Sequence, residues 1–179
     1  MAPFEFAFSL FGLVFGLSVV EIVGGLSRVL RARDRVRIGW LTPLLGLLLL
    51  FDVVTFWSGT WGLRDRLPIN FTVLIFGTLV ASVYYLSASL VFPTDVERWP
   101  DLDEYYRRYR RLVLAGPLAT TIAGAVSMVT VFAPPNLRWE TALLGPGSAA
   151  LVFVALMLVA NRWISIELML IGLSFYFLI

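Results

Sequence analysis

The chain has 179 residues and a formal net charge of +2; 59% of its residues are hydrophobic and only 15% are charged. A soluble domain carries about a quarter charged residues and buries only about 70% of its surface at this size, so lipid has to solvate much of this chain. The sequence contains no Cys, His or Lys, and all 14 basic residues are Arg. These absences exclude disulfides, thiolate or imidazole metal ligands and lysine Schiff bases.

Catalytic motifs are also missing. The sequence has no HExxH or GxSxG pattern, no phosphate-binding loop and no GxGxxG fingerprint. We therefore expect no enzyme activity, no catalytic or metal-binding residue and no cofactor. The arginines flank apolar blocks, so nucleic acid is not an expected partner.

The apolar residues come in long blocks rather than in the period-two alternation of a membrane β-barrel, which predicts membrane-spanning α-helices. In chain order the blocks predict six helices, with approximate bounds 4–30, 40–61, 69–92, 112–132, 141–160 and 163–179. A single helix over 141–179 would be about 58 Å long, twice the hydrocarbon thickness, so we divide it at Asn161 and Arg162. The expected fold is all-α, one membrane domain over residues 1–179 built as a bundle of six transmembrane helices.

The arginines predict an orientation. Eleven follow the first, third and fifth helices, at positions 28, 31, 33, 35, 37, 98, 107, 108, 110, 111 and 162. The opposite links hold three, Arg64, Arg66 and Arg138. Because cytoplasmic loops carry the excess of Arg, we expect both termini on the outer, periplasmic side of a bacterial inner membrane.

The polar segment between the third and fourth blocks predicts a short cytoplasmic interfacial helix over 101–111. Asp101 and Glu104 have the spacing of a capping box, and Asp103 and Arg107 form an i,i+4 pair. Tyrosines alternate there with arginines that are candidates for binding anionic lipid headgroups: Tyr105, Tyr109, Arg107, Arg108, Arg110 and Arg111. The alternative is that these arginines act as a topology signal alone.

Asp52 is the deepest charged residue of the predicted spans. A charge at the bilayer centre costs at least about 2.5 kcal/mol, so such a residue indicates a functional site. Asp52, Thr55 and Gly59 lie on one helix face, which predicts a polar stripe of an ion or proton pathway. The alternative is a neutral Asp that is hydrogen-bonded to a neighbouring helix.

Two further acids lie in the cytoplasmic half of the predicted spans. Glu21 shares a helix face with Arg28, and Glu167 lies about one turn from Arg162. If these four residues converge, they form a cation or proton site. The alternative is an ion-pair cluster that holds the first and sixth helices together.

Small residues at intervals of four predict close helix contacts. Gly12 and Gly16 form such a step in the first helix, and Gly116, Thr120 and Gly124 form one in the fourth. Gly145-Pro146-Gly147 predicts a kinked or unwound turn in the fifth helix.

These features favour a small ion channel or transporter that acts as a homo-oligomer. The alternative is a non-catalytic accessory subunit of a larger membrane complex, because the absence of redox ligands and the 15% aromatic content suit both functions. A third hypothesis is a lipid-binding protein that works through the Tyr/Arg segment. The expected partners are membrane lipids and either further copies of the chain or partner membrane subunits.

Overall fold

The computed structural model describes residues 3–65, 67–130 and 139–176. Its helices are α1 Pro3–Arg31, α2 Leu41–Gly62, α3 Phe71–Ser89, α4 Leu102–Thr130, α5 Trp139–Leu158 and α6 Arg162–Tyr176, and a 3-10 turn covers Val96–Arg98. Within these residues there is no strand, and β pairing is limited to one isolated bridge between Arg37 and Asp101. The predicted all-helical class is confirmed for the described residues, which form six α-helices.

The helix bounds differ from the prediction by more than two residues at two places. The segments 101–111 and 112–132 were expected as separate helices, but they form the single helix α4, because the polar first turns continue into the apolar part without a break. Helix α3 ends at Ser89, earlier than position 92, and Pro93 follows shortly afterwards. The predicted helix ends at 132 and 179 and the link residues Arg66 and Arg138 lie outside the described residues.

Four helices are long and apolar enough to cross a membrane. They are Phe4–Arg31, Leu41–Gly62, Phe71–Ser89 and Leu102–Thr130, with a mean hydropathy of 1.8 to 2.2. Helix α5 contains a shorter apolar stretch, Leu144–Leu158, and α6 has 15 residues. Large apolar side chains also cover the outside of the bundle; Phe71, for example, is 77% exposed. The chain therefore has the helices and the surface of a membrane protein.

The six helices pack as a ring in the order α1, α3, α4, α5, α6, α2, and α2 also contacts α3 and α4. Helix α2 therefore has neighbours on four sides, which explains why the acidic Asp52 and the apolar Leu45 and Leu49 are all buried on it. Consecutive helices cross the bundle in opposite directions, so the starts of α2, α4 and α6 lie at the same end. We call this the Arg-rich end, because the predicted links that hold eleven of the 14 arginines connect the helices here.

Hydrogen bonds join the starts of α2 and α4 at the Arg-rich end. The Asp103 carboxylate accepts a hydrogen bond from the N–H of Leu41 at 3.2 Å, and the Thr42 hydroxyl donates to the carbonyl of Leu102 at 2.7 Å. The first contact places a negative charge at the start of α2, where the helix dipole favours it. Gly39 makes the turn possible, because its φ of 63° is left-handed and a Cβ there would collide with the Asp103 carboxylate. The starts of α2 and α4 are thus fixed to each other.

Close helix contacts occur at some of the small residues that the sequence indicates. A Cβ on Gly116 would meet Ser87 of α3, so this glycine permits the approach of α3 and α4. Gly16 has no neighbour within 4 Å of such a Cβ, and the close approach of α1 and α3 instead occurs where Phe11 contacts Gly77. Helix α5 continues through Pro146 without an unwound turn.

Candidate ligand site

A cavity of about 440 Å³ lies between α2, α4, α5 and α6, and Asp52 lies on its wall. Its lining extends along α2 from Leu48 to Thr60 and includes Leu63 directly after that helix, in the half of the bundle away from the Arg-rich end. The exposed glycines Gly59 and Gly145 are part of the lining, so the cavity reaches the surface of the bundle. We call it the Asp52 cavity.

Two tyrosines from other helices hold the Asp52 carboxyl. The hydroxyl of Tyr84 in α3 donates to Oδ2 at 2.9 Å, and the hydroxyl of Tyr176 in α6 donates to Oδ1 at 2.7 Å. Asp52 is only 6% exposed, so these neutral donors replace most of the water that would solvate it. Each oxygen therefore has one donor, and the carboxyl connects α2, α3 and α6.

The structure brings the predicted polar stripe together at this cavity. Thr55 and Gly59 lie in its lining with Asp52. Further polar side chains in the lining are Thr60, Tyr84, Thr121, Ser148 and Tyr176. Among the described lining residues Asp52 is the one acid, and none is an arginine. An ionised Asp52 would thus have no cationic protein group beside it in the cavity.

The walls of the Asp52 cavity are mostly carbon. Phe56, Met128, Val152, Phe153 and Phe175 contribute apolar surface. A second cavity of about 320 Å³ lies next to it between α1, α2, α3 and α4. The linings of the two cavities share five residues, which therefore lie between them: Phe56, Thr60, Leu63, Gly124 and Met128.

The half of the bundle near the Arg-rich end contains several buried leucines. Leu41, Leu45, Leu102, Leu114 and Leu156 are fully buried there. The backbones of Leu41 and Leu102 take part in the hydrogen bonds of Asp103 and Thr42 at this end. The described lining of the Asp52 cavity does not extend to this end, because Leu48 is its α2 residue nearest to the start of that helix.

The predicted convergence of Glu21, Arg28, Glu167 and Arg162 is wrong. Arg28 pairs with Glu21 on its own helix at 3.9 Å, whereas Arg162 lies 3.4 Å from Asp103 of α4, and Glu167 is exposed. The reason is the packing order, because α2 lies between α1 and α6 in the ring. None of these four residues lines the Asp52 cavity.

The Tyr/Arg segment, residues 101–111, contains both buried and exposed side chains. Arg110 is buried at 6% exposure, with its guanidinium carbon 5.8 Å from the ring centre of Tyr106, so its proposed contact with lipid headgroups is not supported. Tyr105 is also buried, and its hydroxyl donates to the carbonyl of Leu90 at 2.9 Å. The ring of Tyr109 contacts the ring of Tyr105 at a tilt of 33°, with the ring centres 4.7 Å apart. The exposed arginines of the segment are Arg107, Arg108 and Arg111.

Three residues have roles that the sequence pattern does not indicate. Tyr84 and Tyr176 bind Asp52, and Asp103 binds Leu41 and Arg162 rather than the expected Arg107. One signal was available for the tyrosines, because a hydroxyl deep in an apolar helix needs a hydrogen-bond partner. Their pairing with Asp52 depends on helix packing, which the sequence pattern does not contain.

In the part of the chain that the structure describes, no group of three or more acidic, His or Cys residues could hold a metal ion. No protein-family model matches the chain, and neither a curated protein nor a solved structure matches it.

Proposed function

We propose that the chain is a six-span inner-membrane transporter of a proton or another cation, and that it acts as a homo-oligomer. One observation carries this proposal. The Asp52 carboxyl lies at the inner part of a cavity that reaches the surface, and two tyrosines from different helices donate to it. A carboxyl buried in this way binds and releases a positive charge at a defined depth.

A carrier fits the packing better than a channel within one chain. The cavity occupies one half of the bundle, while buried leucines and polar contacts fill the other half. A carrier exposes its site to one side at a time, so a one-sided cavity is the expected arrangement of one of its states. The positive-inside rule assigns the Arg-rich end to the cytoplasm.

Six spans require that α5 and α6 also cross the bilayer. The 15 described residues of α6 correspond to about 22 Å of helix. Local thinning of the bilayer accommodates a span of this length at modest cost. The apolar outer surface of α6, including Trp163 at 70% exposure, supports a position against lipid or a second copy of the chain.

Reconstitution into liposomes tests the transport proposal. Proton entry into vesicles that contain a pH-sensitive dye is measured under an imposed potassium diffusion potential. We expect Asp52→Asn to lower the initial rate at least about tenfold, since the charge-binding group is lost. Glu167→Gln, which removes an exposed acid outside the cavity, is the matched control and should retain the rate. Equal proton-entry rates for wild type and Asp52→Asn would contradict proton transport through this site.

The oligomer and the accessory-subunit alternative are tested by purification at native expression. A symmetric assembly of this chain alone, seen by native mass spectrometry in mild detergent, is the expected result. A stoichiometric second protein, together with no effect of Asp52→Asn on flux, would instead support a non-catalytic subunit.

A further inference from the structure

We propose that the Asp52 cavity binds an organic monocation with an apolar body, such as a lipophilic quaternary ammonium or phosphonium compound. This inference names the substrate class of the proposed transporter and rests on that function for its physiological meaning. Binding itself is measurable without transport, so the two proposals fail separately.

The charge of the ligand follows from the unbalanced charge of the site. Asp52 is the single acid of the described lining, no arginine lies beside it, and both of its hydrogen-bond donors are neutral hydroxyls. Burying a carboxylate without a counter-charge costs several kcal/mol. A ligand with one positive charge removes that cost, whereas an anion increases it.

A bare metal ion does not fit the donor set. Hard cations take six to eight oxygen ligands at short distances. Near Asp52 the structure supplies the carboxylate and the hydroxyls of Tyr84 and Tyr176, and both hydroxyls direct their protons at the carboxylate. The lining also contains the hydroxyls of Thr55, Thr60, Thr121 and Ser148, but the rest of the walls is largely carbon and cannot replace the water around a small ion.

The walls instead match a cation that carries its own apolar surface. The volume of about 440 Å³ lies within the range of small-molecule pockets, about 300 to 1,000 Å³. The rings of Phe56, Phe153 and Phe175 offer apolar contact and cation–π attraction. Met128 adds a side chain that adapts to irregular shapes.

Glycines leave space in the outer part of the cavity. Gly59 and Gly145 line it, and a Cβ on either residue would meet no other atom within 4 Å. A larger side chain at Gly59 can therefore be accommodated by the fold and would occupy ligand space. This provides a variant that tests the cavity without touching Asp52.

The test uses the full chain in detergent and measures the saturable binding of tetraphenylphosphonium by equilibrium dialysis. Tetraphenylborate, which has the same shape and the opposite charge, is the ligand control. We expect saturable binding of the phosphonium alone, with a Kd that rises about thirtyfold or more in Asp52→Asn because a buried charge pair is lost. Gly59→Leu should also weaken binding, while Glu167→Gln should leave the Kd unchanged.

Two results would overturn the inference. One is the same Kd for wild type and Asp52→Asn when both variants elute as the same folded species, and the other is saturable binding of the borate. Phosphonium binding that depends on Asp52, without any flux in liposomes, would keep the ligand assignment and reject the transport function.

Discussion

Tyr176 in the last described turn of α6 donates a hydrogen bond of 2.7 Å to Asp52 in the middle of α2, although 124 positions separate the two residues in the chain. Tyr84 of α3 donates to the other oxygen of the same carboxyl. One acid of α2 is thus joined to both α3 and α6. Any process that weakens these two hydrogen bonds also loosens the packing of α6 and α3 on α2.

Removal of either tyrosine hydroxyl should destabilise the bundle. Tyr84→Phe and Tyr176→Phe keep the rings but leave one oxygen of Asp52 without its donor, so we expect each to lower the free energy of unfolding by about 1 to 2 kcal/mol. The measurement is reversible unfolding in mixed micelles. Tyr85→Phe, in the same helix but outside the cavity lining, is the control and should change stability little. In an Asp52→Asn background the tyrosine effects should shrink, because the three groups form one network.

Part of this arrangement could be predicted from the sequence. Long apolar blocks predict the six helices, and counting residues between Trp40 and Trp61 places Asp52 near the middle of α2, where the structure has it at the cavity. Asp101 was expected to begin a helix, and its carboxylate does accept the N–H of Asp103 in the first turn of α4. These features depend on local composition and spacing, which the sequence contains.

The order of the helices in the ring could not be predicted in the same way. The expected meeting of Glu21 with Arg162 required contact between α1 and α6, but α2 lies between them. Asp103 was assigned to Arg107 by the i,i+4 rule, whereas its side chain points inward and contacts Leu41 and Arg162. Such pairings depend on how apolar faces fit together, and nearly continuous apolar helices offer no single face to the sequence pattern.

The contacts of Asp103 predict a role in stability at the Arg-rich end. Asp103 is 2% exposed, and its loss leaves the N–H of Leu41 and the Arg162 guanidinium without this partner. We expect Asp103→Ala to lower the free energy of unfolding by about 1 to 3 kcal/mol. Asp103→Asn should be milder, because an amide oxygen still accepts from Leu41. Glu104→Ala, at the exposed neighbouring position, is the control, and an Asp103→Ala variant as stable as Glu104→Ala would refute this role.

Gly39 should tolerate no side chain. Its left-handed φ and its contact with the Asp103 carboxylate both oppose a Cβ, so we expect Gly39→Ala to cost about 1 to 2 kcal/mol of stability. Gly62→Ala is the comparison, because that glycine has no atom within 4 Å of a Cβ. The cost at Gly39 should fall in an Asp103→Ala background, where the colliding carboxylate is absent. Equal costs in the two backgrounds would show that the backbone conformation alone opposes the substitution.

The exposed arginines at the start of α4 predict a preference for anionic lipid. Arg107 and Arg108 are exposed, and the Arg108 guanidinium lies 5.9 Å from the ring centre of Trp99. Arg64 provides a matched control at the other end of the bundle, since it lies 5.6 Å from the ring of Trp61 but also 3.7 Å from the Asp65 carboxylate. That carboxylate offsets its charge, so Arg64 should attract little anionic lipid.

We expect Arg107→Gln and Arg108→Gln each to weaken phosphatidylglycerol binding about fivefold, which corresponds to the attraction of one basic residue to an anionic surface. The double variant should show the product of the two effects, and raised salt should reduce them all. Counting bound lipids by native mass spectrometry gives the affinities. Because Arg110 is buried against Tyr106, Arg110→Gln should instead lower stability more than lipid binding. If Arg64→Gln reduces lipid binding as much as Arg108→Gln does, the arginines of α4 form no preferred lipid site.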